Sequence, residues 1–152
     1  MNDEVYIKDL KKSYEIINNT NSEIDNKSLT MIVIIGAMIT INSSFIFPLF
    51  KTNPIGLTYC IGSLICYTFS VILFTISLIT RRFKYYPDME SIIENYESEI
   101  DEMEYITSTI GRYGSTNNYN LEVIKFKGII SKISFLGFIF GVCLTLVSVV
   151  ML

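Results

Sequence analysis

Three long runs without a charged residue constrain the fold of this chain more than any other feature of its sequence. They cover residues 28–50, 52–80 and 133–152. A helix over the 23 residues from 28 to 50 rises roughly 34 Å, which is enough to cross a hydrocarbon core of about 30 Å. Lys51 to Pro54 form a short turn between the first two runs. The sequence therefore predicts an all-α membrane protein with three transmembrane helices, at residues 28–50, 55–80 and 133–152.

The N-terminal segment, residues 1–27, carries charged and apolar residues in a helical pattern. Its apolar residues recur at steps of three and four, which places them on one face of a helix. These residues are Tyr6, Leu10, Tyr14, Ile17 and Ile24. Since lysines on the other face are balanced by acidic residues, we expect this amphipathic helix to pack on protein rather than to lie on a lipid surface.

Residues 81–132 form the only long polar insertion between the predicted spans. Apolar residues at helical steps predict a helix over about 88–110, whose opposite face is acidic. The Gly, Ser and Asn residues of 111–120 predict a polar loop, and a last helix is expected from Leu121 into the third span. Neither insertion helix can cover its own apolar stripe, so the sequence predicts a small cytosolic helical subdomain that includes the N-terminal helix.

The positions of the cationic residues predict the orientation in the membrane. Of the 12 Lys and Arg residues, Lys51 alone lies in the turn between the first two spans. The others lie in residues 1–27 or 81–132, and short cytoplasmic segments carry an excess of Lys and Arg. We therefore expect both segments in the cytoplasm, the C-terminus outside, and an inner-membrane location.

Composition excludes several classes of function. A formal net charge of -3 does not favour nucleic acid as a partner. The chain has no histidine, and neither a metal-ligand spacing nor a catalytic constellation of nucleophile and base is present. The sequence predicts no enzyme activity, no cofactor and no metal, and its first partner is the lipid bilayer.

Five cationic residues near the membrane face are the candidate ligand-binding residues: Arg81, Arg82, Arg112, Lys125 and Lys127. Together they can present positive charge to an anionic ligand, and the neighbouring tyrosines are able to stack on a base. These tyrosines are Tyr85, Tyr86, Tyr113 and Tyr119. The alternative is the ordinary anchoring of cationic residues on anionic headgroups, which explains most of them without a ligand. It explains Arg112 least well, because that residue is far from any span in sequence.

Small residues recur along the predicted spans. In the third span they include Gly137, Gly141, Thr145 and Ser148, at steps of three and four. Similar sets occur in the first span (Thr30, Ala37, Thr40, Ser44) and in the second (Ser63, Cys66, Ser70, Ser77). Small faces let transmembrane helices approach closely, and they serve either packing within one chain or association between chains. For Asn42, a bond to a neighbouring helix is favoured over a pore-lining position.

The layout of these segments resembles the small transmembrane effectors of the Pycsar anti-phage systems. It is also similar to the two-span membrane effectors that accompany nucleotide-synthesising defence enzymes. The specific match is Asp25-x-Lys27-Ser28 before the first span, with Lys127 and Lys132 before the last; Ser28 stands where many members have alanine. The resemblance implies a homo-oligomer that responds to a cyclic nucleotide by impairing the integrity of the inner membrane.

Two other functions are compatible with the same sequence. One is a constitutive holin-like or toxin pore former, and the other is an accessory membrane subunit that senses nothing. The three differ in toxicity: a constitutive pore is toxic on expression, a gated effector is tolerated until its signal is made, and an accessory subunit is tolerated throughout.

Overall fold

A computed structural model describes residues 3–79, 83, 84 and 102–151 of the chain. This part contains three α-helices: α1 (Asp3–Thr52), α2 (Pro54–Ile79) and α3 (Glu102–Val150). Each is long and apolar enough to cross a membrane, and no strand occurs among the described residues. The predicted fold class, an all-α membrane protein with three transmembrane helices, is confirmed.

Asn53 separates α1 from α2. Its side-chain oxygen accepts hydrogen bonds from the backbone N–H groups of Ile55 and Gly56, both at 3.1 Å. This is an N-cap, which satisfies donors that a helix leaves free in its first turn. Pro54 follows as the first residue of α2, a position where its missing N–H has no cost.

The helices contribute to two compact units. Unit 1 consists of Met1–Glu23 and Arg81–Lys125, and unit 2 consists of Ile24–Thr80 and Phe126–Leu152. Residues 3–27 and 28–50, predicted as a cytosolic helix and a span, belong to one uninterrupted helix, α1.

Unit 2 is built on a seven-residue repeat of buried positions in all three helices. A seven-residue interval is the repeat of helices that wrap around each other with a left-handed twist. Most of the side chains at these positions are small or polar, as is usual where membrane helices approach closely. The positions are Ser28, Ile35, Asn42 and Leu49 in α1; Gly56, Ser63, Ser70 and Ser77 in α2; and Lys127, Ser134, Gly141 and Ser148 in α3.

The outer surface of unit 2 is apolar. Large side chains such as Val33, Phe47, Ile65, Leu136 and Phe140 are more than half exposed. A soluble protein rarely leaves so many of them in water, whereas a hydrocarbon environment favours them. The chain therefore has the helices and the surface of a multi-pass membrane protein.

Unit 1 joins the first part of α1 to the first part of α3. Ile17, Tyr113 and Val123 are buried in it, and the rings of Tyr14 and Tyr113 meet edge to face with centroids 6.2 Å apart. The amide of Asn117 donates a hydrogen bond to the backbone oxygen of Leu10, at 3.2 Å. The N-terminal helix thus packs on α3. The predicted stripe of apolar residues from Met89 to Ile100 lies outside the described residues.

The polar loop predicted for residues 111–120 is wrong, and so is the start of a new helix at Leu121. α3 runs through both positions without a break, although residues 88–101 of the helix predicted over 88–110 lie outside the described part. Asn117 and Asn120 favour turns in isolation, but here both are buried and their amides bond to other segments. Packing of this kind outweighs helix propensity, which is worth about 1 kcal/mol or less for each glycine or asparagine.

Candidate functional site

The three helices of unit 2 meet at a group of polar side chains that we call the polar junction: Asp25, Ser28, Ser77, Lys127 and Ser131. The ammonium of Lys127 donates hydrogen bonds to both carboxylate oxygens of Asp25, at 2.8 and 3.0 Å. The Ser131 hydroxyl lies 3.5 Å from that of Ser28 and 3.3 Å from that of Ser77. One side chain of α3 therefore links α1 to α2, immediately beside an ion pair that links α1 to α3.

Lys127 has the least usual environment in the polar junction, because only 4% of the residue is exposed. Removing an ammonium from water costs several kcal/mol unless a charge and hydrogen bonds replace the water. Asp25 supplies both, and its own side chain remains 28% exposed. The pair therefore offsets the burial of Lys127, and loss of the carboxylate would remove the negative charge that is paired with the buried ammonium.

A second polar contact lies deeper in unit 2. The amide of Asn42 donates hydrogen bonds to the backbone oxygen of Cys60, at 3.1 Å, and to the hydroxyl of Ser63. All three residues are buried. The prediction that Asn42 bonds to a neighbouring helix is confirmed.

Three of the four small residues singled out in the third span, Gly137, Gly141 and Thr145, lie against α2. A Cβ atom on Gly137 would come within 2.7 Å of the Ser70 hydroxyl oxygen, and one on Gly141 within 2.7 Å of the Tyr67 ring. The Thr145 hydroxyl forms a 2.9 Å hydrogen bond with the Tyr67 hydroxyl. Ser148 is also buried, one turn further on. All four lie on the face of α3 that packs within the chain.

The small residues of the first span are placed differently. Thr30, Ala37, Thr40 and Ser44 are all exposed, and no atom lies within 4 Å of a Cβ atom built on nearby Gly36. The buried side of α1 instead carries the seven-residue repeat that begins at Ser28. Thr30 lines a cavity in unit 2, and we call the other exposed residues, Gly36, Ala37, Thr40 and Ser44, the outer small face of α1.

The candidate ligand-binding residues that the structure describes do not form one cluster. Lys127 lies in unit 2, where it is bonded to Asp25. Arg112 and Lys125 lie in unit 1, half-buried and exposed respectively, and the helix between them rises roughly 20 Å. α3 therefore does not gather these two into one cluster. Arg81 and Arg82 lie outside the described residues.

Two of the tyrosines predicted to stack on a base, Tyr113 and Tyr119, already contact other side chains. Tyr113 is buried against Tyr14, so its faces are not open to a base. Tyr119 lies beneath the ammonium of Lys84, which is 4.5 Å from the ring centroid. Its neighbour Asn120 accepts a hydrogen bond from the backbone N–H of Lys84 at 3.0 Å and donates one to the backbone oxygen of Lys84 at 2.8 Å. This asparagine holds the segment at residue 84 against α3.

Sequence reasoning missed the pairing of Asp25 with Lys127 and the roles of Asn117 and Asn120. The pairing joins residues 102 positions apart, so local patterns cannot reveal it. A signal was present in α3, however. Asn120 and Lys127 belong to a seven-residue series that continues through Ser134, Gly141 and Ser148, which marks them as inward-facing.

The fold and the polar junction together define a helical, multi-pass membrane protein with an ion pair buried between two of its helices. Among the described residues, no group of three or more His, Cys, Asp or Glu side chains is arranged to hold a metal ion. No protein-family model, curated protein or solved structure matches the chain. Its function must therefore be inferred from its own residues.

Proposed function

We propose that this protein is a membrane effector of antiviral defence. It responds to a cyclic nucleotide by oligomerising and impairing the integrity of the inner membrane. The observation that carries the proposal is the position of the residues on which the resemblance rests. Asp25 and Lys127 are paired, Ser28 contacts Ser131, and Lys27 and Lys132 line one cavity in the same unit. The five residues of the resemblance come from two distant segments, and each lies in the polar junction or lines the cavity that Ser28 and Ser131 share with it.

The polar junction supports an effector that changes state over a passive anchor. Replacing a buried ion pair by apolar side chains of similar volume is often neutral or stabilising, so stability alone does not favour Asp25 and Lys127. An ion pair that can open is instead suited to a group of helices that can pack in two alternative arrangements. A ligand shifts such an equilibrium when it binds one arrangement better than the other.

The interior of unit 2 supports a change in permeability. Its inner positions are rich in hydroxyl and amide groups, with Ser63, Ser70, Ser134 and Thr145 buried together with Asn42, while its outer surface is apolar. When several copies assemble and the three helices of each copy rearrange, these polar faces would line a path for water and ions. Lipid would continue to cover the apolar faces.

The outer small face of α1 supports association between copies. Transmembrane helices associate through small residues, because these let the backbones approach and gain van der Waals contact. The small residues of α3 are already used within the chain, whereas those of α1 are exposed. In this proposal the second copy therefore packs on α1.

The proposed orientation follows the cationic residues, with the N-terminus and residues 81–132 in the cytoplasm and the C-terminus outside. The nucleotide then binds on the cytoplasmic side, where Arg112 and Lys125 of unit 1 supply positive charge. Because roughly 20 Å of helix separates these two residues, one bound nucleotide would contact either Arg112 or Lys125, and neither residue belongs to the Asp25–Lys127 pair.

The proposal is tested with the purified full chain in liposomes loaded with a fluorescent dye. Addition of a cyclic pyrimidine mononucleotide is expected to release dye and to increase the oligomer size measured by mass photometry. Thr40→Leu, on the outer small face, is expected to reduce both effects. Its matched control is Thr68→Leu: both threonines are exposed and bond to the carbonyl four residues earlier in their own helix, at 3.1 and 2.9 Å.

Three outcomes contradict the proposal or part of it. Failure of every cyclic nucleotide to change leakage or oligomer size removes the gated effector. Leakage without any nucleotide, together with toxicity on expression alone, indicates a constitutive pore former. Equal effects of the Thr40 and Thr68 variants remove the outer small face of α1 as the contact between copies.

A further inference from the structure

A cavity of about 760 Å³ lies in unit 2 between α1 and α3. From α1 it is lined by residues that include Lys27, Ser28 and Met31, and from α3 by Lys132, Phe135 and Leu136. Phe74 of α2 also contributes to its wall. Its volume falls within the range of about 300–1,000 Å³ that is usual for ligand sites.

The lining of the cavity changes from charged to apolar along the helices. Lys27 is the last charged residue of α1 before the uncharged run of residues 28–50, and Lys132 holds the same position in α3 before residues 133–152. Both lysines are exposed. Met31, Phe135 and Leu136 follow within about one helical turn, or roughly 5 Å of rise. The cavity therefore begins at the boundary where the charged segments end and continues into the uncharged part.

We propose that this cavity binds an anionic phospholipid. Its phosphate group is held by Lys27 and Lys132, and one acyl chain lies along Met31, Phe135 and Leu136. None of the cavity-lining residues described in the structure is acidic, and the carboxylate of nearby Asp25 is bonded to Lys127. The charge at the mouth of the cavity is thus complementary to an anion, and its interior is complementary to hydrocarbon.

Two other occupants fit the cavity less well. A soluble anion such as phosphate would use the lysines and leave the apolar wall without a partner. A helix of a second copy would cover the apolar wall but would bring apolar side chains against two ammonium groups, which is costly in a medium without water. An amphiphile satisfies both ends of the cavity. Unlike the ordinary anchoring of lysines on headgroups, this arrangement predicts a stoichiometric site.

The site is tested by native mass spectrometry of the purified full chain, without any cyclic nucleotide. Phosphatidylglycerol and phosphatidylcholine with identical acyl chains are titrated separately. The wild-type chain is expected to retain one phosphatidylglycerol at concentrations where it retains no phosphatidylcholine. Lys27→Gln and Lys132→Gln should each weaken this binding roughly tenfold, since each removes a hydrogen bond to a charged group. Lys51→Gln, at the other end of α1, should leave it unchanged.

A second pair of variants tests the apolar part of the cavity. Thr30→Phe introduces a bulky ring at a residue that lines the cavity, and it is expected to abolish retention of phosphatidylglycerol. Thr68→Phe makes the same change at an exposed residue of α2 and should have no effect. Circular dichroism before each titration shows whether the variants keep the helical content of the wild-type chain.

Four results would overturn the proposal. The first is equal retention of the two lipids by the wild-type chain, and the second is an equal loss with Lys51→Gln. The third is displacement of the bound lipid by inorganic phosphate at the same concentration, which would leave no role for the acyl chain. The fourth is a change of oligomer mass, in place of lipid binding, on Thr30→Phe, which would assign the cavity to a contact between copies.

Discussion

Replacing Asp25 with Asn is the most direct perturbation of the polar junction. Lys127, which is only 4% exposed, would keep its charge and lose the negative charge that accepts its hydrogen bonds at 2.8 and 3.0 Å. The amide oxygen of asparagine can accept only one of these bonds, and it carries no formal charge. Removing one partner of a buried ion pair costs about 3–5 kcal/mol. Because the Asp25 side chain is 28% exposed and water reaches one side of the pair, we expect a loss near the lower end, about 3 kcal/mol.

The opposite replacement should cost less. Lys127→Met removes the charge and keeps an unbranched side chain that is one atom shorter, and the carboxylate of Asp25 is partly exposed to water. A loss of about 1–2 kcal/mol is expected, which corresponds to one unsatisfied polar group. In the double variant neither charge remains, so at least about 2 kcal/mol of the loss caused by Asp25→Asn should be recovered.

The assay is equilibrium unfolding of the purified chain in mixed micelles, followed by circular dichroism, for the wild type, both single variants and the double variant. Asp9→Asn, at an exposed carboxylate of α1, is the control and should change the free energy of unfolding by less than about 0.5 kcal/mol. If Asp25→Asn changes it no more than the control does, the ion pair does not stabilise unit 2. If the double variant is as unstable as the sum of the single variants, the two residues are not coupled.

Three further predictions concern the continuity of α3, the packing of α3 on α2, and the hydrogen bonds between Asn120 and the backbone of Lys84. Gly114→Ala should raise the free energy of unfolding by about 0.5–1 kcal/mol, because the residue is inside α3 with no atom near the added methyl group; a decrease would favour a loop. Gly141→Ala should lower the free energy of unfolding by about 1–3 kcal/mol, because the added methyl group would lie 2.7 Å from the Tyr67 ring of α2. The control is Gly128→Ala, which has open space around the added methyl group and should not lower the free energy of unfolding. Asn120→Leu should speed tryptic cleavage after Lys84, because both backbone hydrogen bonds of that residue are lost; unchanged cleavage kinetics would contradict the role assigned to the asparagine.

The three spans follow from the amino-acid sequence alone. Charged side chains are costly in hydrocarbon, so their absence over residues 28–50, 52–80 and 133–152 restricts those segments to membrane-crossing helices. The small residues of α2 and α3 were also visible, because close helix packing requires them at regular intervals. Both are properties of a single segment and its surroundings, and they can be read along the chain.

The partners of the polar residues depend on how the helices pack in three dimensions. Residues 111–120 have the composition of a loop, yet they are helical because Asn117 and Asn120 find hydrogen-bonding partners on other segments. The small residues of α1 resemble those of α3 in sequence, yet they face outward. Lys127 resembles any lysine before a span until Asp25, 102 positions away, is found beside it. A polar group is satisfied by whichever partner the fold brings within about 3 Å, and the identity of that partner is a property of the assembled helices.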